Sequence, residues 1–366
     1  MKAAMLYGIE DMRIEEMEIP KCGDDYLIVE LKKATLCPTD LKKYYGDKDD
    51  VEVGLRDEGP YILGHEAAGI VIESGKNIKN IQVGDRVAIQ PMISCGQCHY
   101  CKIGKKNMCL NILGVGGSAG NFGDCIRLMN DEGIGGCFAT HLKLPEQCVI
   151  KLPEEIDYEA GSLIEPLADV IHSINELGVD ENDTVVIIGL GPMGLFHTIV
   201  ASYHKAKRII CIDIDDERLK LSGKLGADII LNSSKEDVVQ GVLALTNKIG
   251  ADKIFVTAGG KAQKTCVEQA LAMVAKKGKI SLFASADINN DEMTISLNEI
   301  HYKMITLTGT VGFEDKHAEE AIEILKNKYF DYKLIRNKEY PLDQIVDGIK
   351  DYGKGKNIKV GLDLSK

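Results

Sequence analysis

The stretch Val185-Val186-Ile187-Ile188-Gly189-Leu190-Gly191-Pro192-Met193-Gly194 constrains the fold more than any other part of this 366-residue chain. Four consecutive β-branched apolar residues predict a strand buried on both faces, and the glycines that follow predict a tight turn. Pro192 then suits the first position of a helix. Five further apolar runs follow, at Arg208–Ile212, Ile229–Leu231, Lys253–Val256, Ile280–Phe283 and Ile305–Leu307. Stretches of helical periodicity separate most of them, such as Asp216–Leu225 and Gln263–Lys276. Six strands joined by helical crossovers predict an α/β fold with a doubly wound parallel sheet.

The same turn carries chemistry. Gly189 permits a sharp bend, Gly191 lets the backbone approach a pyrophosphate, and Gly194 allows close helix packing. The helix N-terminus then favours phosphate charge. Asp213 lies 19 residues beyond Gly194, at the end of the next strand. A carboxylate there can bind both hydroxyls of an adenosine ribose and repels a 2′-phosphate, so the expected cofactor is NAD rather than NADP. Ile214 and Asp215 follow, so no arginine stands next to Asp213; Arg218 is read as a ribose-side or supporting contact. The turn lies too far from the N-terminus for FAD, whose fingerprint usually opens a chain.

Four cysteines form a second signature. Cys95, Cys98, Cys101 and Cys109 read C-x2-C-x2-C-x7-C, a spacing that suits one tetrahedral Zn²⁺ with no open position. Such a site holds shape. The chain has eleven cysteines, and beside metal-ligand spacing they point to a reducing cytoplasm rather than to disulfides. Cys22, Cys125, Cys137, Cys148, Cys211 and Cys266 are scattered and read mostly as small core residues. A net charge of −12 argues against a nucleic-acid-binding face, and no apolar run is long enough to span a bilayer.

The first part of the chain reads differently. Met1–Ala4, Tyr26–Leu31, Glu66–Glu73 and Asp85–Gln90 predict strands among glycine turns. After Thr310, helical stretches at Lys316–Asn327 and Leu342–Tyr352 precede a last strand, Lys359–Leu364. Residues 111–136 are glycine-rich and form either a surface excursion or a loop lining a cleft or subunit contact.

Cys37-Pro38-Thr39-Asp40, Gly64-His65-Glu66, Glu165-Pro166, the cysteine lobe and the glycine turn together resemble the zinc-dependent medium-chain alcohol dehydrogenase family nearly end to end. The resemblance implies a GroES-like β-rich catalytic domain over residues 1–155, with a zinc lobe at about 92–112 and a return segment at 311–366. A Rossmann NAD-binding domain would occupy 156–310. It further implies a catalytic zinc held by Cys37, His65 and one or both of Glu66 and Glu165, and two zinc ions per subunit. Asp40 would fix the His65 tautomer, and Thr39 would take the substrate hydroxyl proton. Relatives with Glu-Pro at 165–166 resemble sorbitol, threonine and butanediol dehydrogenases, which implies a secondary alcohol or polyol as the small-molecule substrate. Alternatives are L-threonine, another amino- or hydroxy-acid, or a phosphorylated sugar alcohol met by Lys42, Lys43 and Arg56. A more distant one is a non-catalytic nucleotide-binding protein on the same scaffold.

Many relatives continue the proton relay through a histidine at position 42, where this chain has Lys42. His172 is read as a core or supporting residue with a second option of facing the cleft. Tyr44, Tyr45, Asp49–Arg56, the 111–136 loop and the surroundings of His301 are the candidate specificity positions. The resemblance also implies a homotetramer or homodimer, with the strand near Ile305–Leu307 as the pairing edge, and neither a nucleic-acid nor a membrane partner.

Overall fold

The computed structural model describes residues 1–46, 60–115, 128–287 and 291–365. The chain divides into two compact units, residues 1–166 with 314–366, and residues 167–313. The division falls inside the helix Ile164–Leu177. The expected positions Asp49–Arg56, Cys125 and the middle of the 111–136 loop lie outside the described residues.

The first unit is built on antiparallel pairing. Its largest sheet runs, by neighbour, Val149–Lys151, Arg86–Ile89, Glu66–Ser74, Tyr26–Thr35, Lys359–Asp363 and Arg336–Pro341, and His141–Pro145 also pairs with Tyr26–Thr35. A second sheet joins Lys2–Gly8 to Asp11–Glu16 and to Tyr61–Ile62. Alternation along Tyr26–Thr35 buries Leu27, Val29 and Leu31 in one core with Leu142, Val360 and Leu362. The strand Lys359–Asp363 is therefore an inner member of the sheet, although it is the last strand of the chain. Its register places Gly361 opposite Thr35, and Thr35 stands opposite Glu66 on the other side.

The second unit is the parallel sheet. Six strands lie in the order Ile229–Asn232, Arg208–Asp213, Thr184–Ile188, Ala251–Val256, Val274–Leu282 and Thr306–Gly309. Counted along the chain this order is 3-2-1-4-5-6, the doubly wound arrangement. The register pairs Val186 with Ile210 on one side and Ile254 on the other, and these side chains share one core. Strand order reverses beside Thr184–Ile188, and Gly189 leaves that strand at its carboxyl end, where ligands bind in open α/β sheets. Thr306–Gly309 has one neighbour and forms a sheet edge.

Candidate metal centre and nucleotide turn

Local sequence fixes Cys37 before any metal is considered. Pro38 occupies the first turn of the helix Pro38–Tyr45 and keeps Cys37 extended, at φ −97° and ψ 150°. Asp40, at the third helical position, accepts the Cys37 backbone N–H at 2.7 Å, one half of a capping box. Gly46 ends the helix in the left-handed conformation. Thr39 donates its hydroxyl to the Cys37 sulfur at 2.7 Å. His65 follows Gly64, whose φ is +93° and whose missing Cβ leaves room for the ring of Phe138 at about the 2.4 Å where a Cβ would collide.

These elements bring the ligand atoms of Cys37, His65 and Glu66 within 4.8 Å of one another, with His65 and Glu66 buried and Cys37 half-buried. Glu165 stands outside that group. It is half-buried in the first turn of its helix, and its charge bears on the buried thiol of Cys137, which also feels Asp40 and Glu66. Asp40 Oδ1 lies 3.9 Å from His65 Nδ1, and neither atom has a hydrogen-bond partner among the described residues. The expected Asp40–His65 bond is thus an approach rather than a hydrogen bond.

The electrostatics fit a divalent cation. Burial pushes the Cys37 thiol well up, with Glu66 adding to it. Burial also raises Asp40 to about 7 and lowers His65 to about 3. A neutral imidazole beside a thiol and carboxylates is the donor set that zinc takes, and bound Zn²⁺ would offset the cost of burying the anions.

Lys359 is the residue here that sequence reading missed. Its side chain is fully buried, and Nζ contacts both oxygens of Glu66, at 2.8 Å and 2.7 Å. Thr35 donates its hydroxyl to Glu66 as well. Burial alone would lower the lysine, but Glu66, with Tyr352 and Cys37, raises it above its ordinary value, so Lys359 stays protonated. Its mark in the sequence is a lysine opening the last apolar strand, which does not reveal its partner.

The cysteine lobe is assembled. Sγ–Sγ distances are 4.0 Å for Cys95–Cys101, 3.5 Å for Cys98–Cys101 and 3.9 Å for Cys98–Cys109. Zn–S bonds in a tetrahedron imply sulfur separations of about 3.8 Å. Backbone N–H groups of Cys95 and Asn111 donate to Cys109 Sγ, at 3.2 Å and 3.4 Å. All ten described cysteines are free thiols.

In the second unit, Gly189 has φ +96°, and a Cβ on Gly194 would fall 1.8 Å from the Gly189 carbonyl oxygen. By contrast no described residue beyond its two chain neighbours lies within 4 Å of where a Cβ on Gly191 would sit, so the backbone there is open to close approach by a phosphate. Gly191, Pro192 and Met193 open the helix Pro192–Tyr203. Asp213 does more than sequence suggested: Oδ2 accepts the Leu190 N–H at 2.5 Å, and Oδ1 accepts those of Ile214 and Asp215. It ties two strand ends together, and as a carboxylate it has acceptor capacity beyond these three bonds. Arg218 is half-buried in the first turn of the helix Asp216–Lys224.

Other candidates fall elsewhere. Tyr44 is core rather than cleft, with its hydroxyl on the Glu10 carbonyl, because the inner face of its helix packs on the first unit. Lys43 is buried too, against its expected role toward a phosphate, and Lys42 is half-buried. Tyr45 is exposed. His172 is buried, with Nδ1 2.6 Å from the Gly312 carbonyl, and His301 is exposed on the helix Leu297–Lys303.

The chain matches two family models, the alcohol dehydrogenase GroES-like domain over residues 23–154 and the zinc-binding dehydrogenase over residues 192–327. It is 28% identical to the sorbitol dehydrogenase of Bacillus subtilis, over 96% of this chain and 93% of that one. It is 30% identical to an L-threonine 3-dehydrogenase of Bacillus velezensis, over 95% and 94%. The crystal structure of 2R,3R-butanediol dehydrogenase from Bacillus subtilis superposes with a TM-score of 0.85 at 27% identity, covering 99% of each chain. The chain belongs to the zinc-dependent medium-chain alcohol dehydrogenase family.

Proposed function

We propose that this enzyme oxidises a secondary alcohol or polyol to a ketone and passes the hydride to NAD. The observation that carries the reading is the convergence of Cys37, His65 and Glu66 in a chain that also bears a complete dinucleotide turn. Zinc, when bound, acts as the Lewis acid that makes a substrate hydroxyl acidic. Cys37 and His65 serve as ligands with one carboxylate, Glu66 or Glu165. In this reading Thr39 receives the hydroxyl proton, and the Asp40 carboxylate faces the His65 ring across 3.9 Å. Gly189–Gly194 cradle the pyrophosphate and Asp213 holds the ribose, which selects NAD. The four lobe cysteines bind a second, structural zinc.

The relatives' names support a substrate with a secondary hydroxyl, polyol or butanediol in kind. L-Threonine is the second reading, on the 30% identity to a threonine dehydrogenase. The edge strand Thr306–Gly309, with Tyr302, Met304 and Val311 exposed near it, supports a homo-oligomer in this reading. A cytoplasmic location fits the free thiols. No helix among the described residues is long and apolar enough to cross a membrane.

The test is NADH formation by zinc-loaded enzyme from sorbitol, 2,3-butanediol, L-threonine and phosphorylated polyols. Turnover of a polyol or diol above the rest supports the main reading, and turnover of L-threonine alone moves it to the second.

A further inference from the structure

We propose that Lys359 is a positioning residue that shares the Glu66 carboxylate with the catalytic metal and so weakens the hold of Glu66 on it. The proposal rests on the zinc-site reading above. A fully buried ammonium is tolerated only with partners for its charge and its three N–H groups. Lys359 has them: Glu66 Oε1 at 2.8 Å, Glu66 Oε2 at 2.7 Å and the Leu36 carbonyl at 3.3 Å. Thr35 also donates to Oε2.

The fold enforces this. Gly361 pairs with Thr35, and the ladder continues with Leu36 N to the Val360 carbonyl at 2.8 Å. Lys359 therefore enters the sheet beside Leu36 and Cys37, with Glu66 across the same central strand. Glu66 also belongs to the ligand cluster with Cys37 and His65. A carboxylate with an ammonium across both oxygens is a poorer donor to a dication, and the two cations repel in a medium where charge is weakly screened. Lys359 thus does two things. Without metal it keeps the buried Glu66 charge paired. With metal bound it would limit the charge that Glu66 gives to the ion, which would leave the ion a stronger Lewis acid.

The direction of the effect separates this role from a structural one. Removing a purely structural contact near a metal loosens the metal, commonly by about 10–100-fold. Removing Lys359 leaves Glu66 with the metal as its remaining cation, so zinc should be held more tightly. The experiment is chelator competition on the whole protein, counting zinc released per chain, with thermal melts before and after chelation. Wild type, Lys359→Met, Lys359→Arg and the double variant Glu66→Gln/Lys359→Met are compared with Glu66→Gln.

Expected are two zinc ions per wild-type chain and a catalytic zinc held on the order of ten-fold more tightly in Lys359→Met. The chelated Lys359→Met protein should melt below chelated wild type, and Lys359→Arg should behave as wild type. In the Glu66→Gln background the Lys359→Met change should no longer tighten zinc, a coupling that also serves if the single variant folds poorly. Zinc held equally or more weakly in Lys359→Met, with the same change in the Glu66→Gln background, overturns the proposal. A wild-type chain that binds zinc only in the cysteine lobe overturns the zinc-site reading and this proposal with it.

Discussion

Asp40 Oδ1 stands 3.9 Å from His65 Nδ1, while Asp40 Oδ2 accepts the backbone N–H of Cys37 at 2.7 Å. One carboxylate thereby addresses two residues of the metal cluster that are far apart in the chain. Asp40→Ala should cost about 1 kcal/mol through the lost hydrogen bond to the Cys37 N–H at the helix start. It should also weaken catalytic zinc by about 10–100-fold, because the His65 ring loses the carboxylate that stands 3.9 Å from its Nδ1. Chelator competition alongside thermal melts separates the two effects. Unchanged zinc affinity would show that Asp40 serves the helix alone.

Glu66→Gln and Glu165→Gln should divide the roles of the two carboxylates. The ligand variant is expected to lose zinc and activity together, and the other to lose rate with metal retained. Equal zinc loss in both would contradict the split. Zinc content by atomic absorption, paired with NADH formation, reads the outcome.

Gly194→Ala places a methyl where the Gly189 carbonyl oxygen lies, at 1.8 Å, so the turn must open. NADH affinity, read by fluorescence titration, should fall by more than about ten-fold, a loss of over about 1.4 kcal/mol. Metal content should stay at wild-type level, since Gly194 belongs to the second unit and the metal clusters to the first.

His197 supplies a pH dependence of stability. It is fully buried between Phe255 and Phe283, with Nδ1 on the Met193 carbonyl, and burial lowers it to about 4. A depressed histidine binds a proton more readily when unfolded. Its contribution is therefore whole above the unfolded value of about 6.5 and is lost as pH falls through about 4. The loss is at most about 3 kcal/mol. Urea unfolding at pH 7 and pH 5 should show His197→Phe with a shallower decline than wild type; parallel declines would assign the acid sensitivity elsewhere.

What was legible in the sequence was what neighbours in sequence decide. The glycine turn, the lobe cysteines and the Cys37–Asp40 helix start are local, and the six apolar runs are strands of one parallel sheet. Lys359 was not legible, because its partner lies 293 residues earlier and only the sheet register brings them together. Tyr44 was misplaced because a tyrosine on a short helix gives no sign of which face meets the core. The turn-closing role of Asp213 was hidden for a related reason: one carboxylate can serve backbone and ribose at once, and spacing reports only its position.

The most direct measurement is NADH formation by zinc-loaded wild type and His65→Ala on a polyol and diol panel, with NADH binding followed in parallel. Turnover by wild type, lost in His65→Ala while NADH affinity and one zinc per chain remain, is the expected result. Equal turnover by both proteins would contradict a catalytic centre built on Cys37, His65 and Glu66.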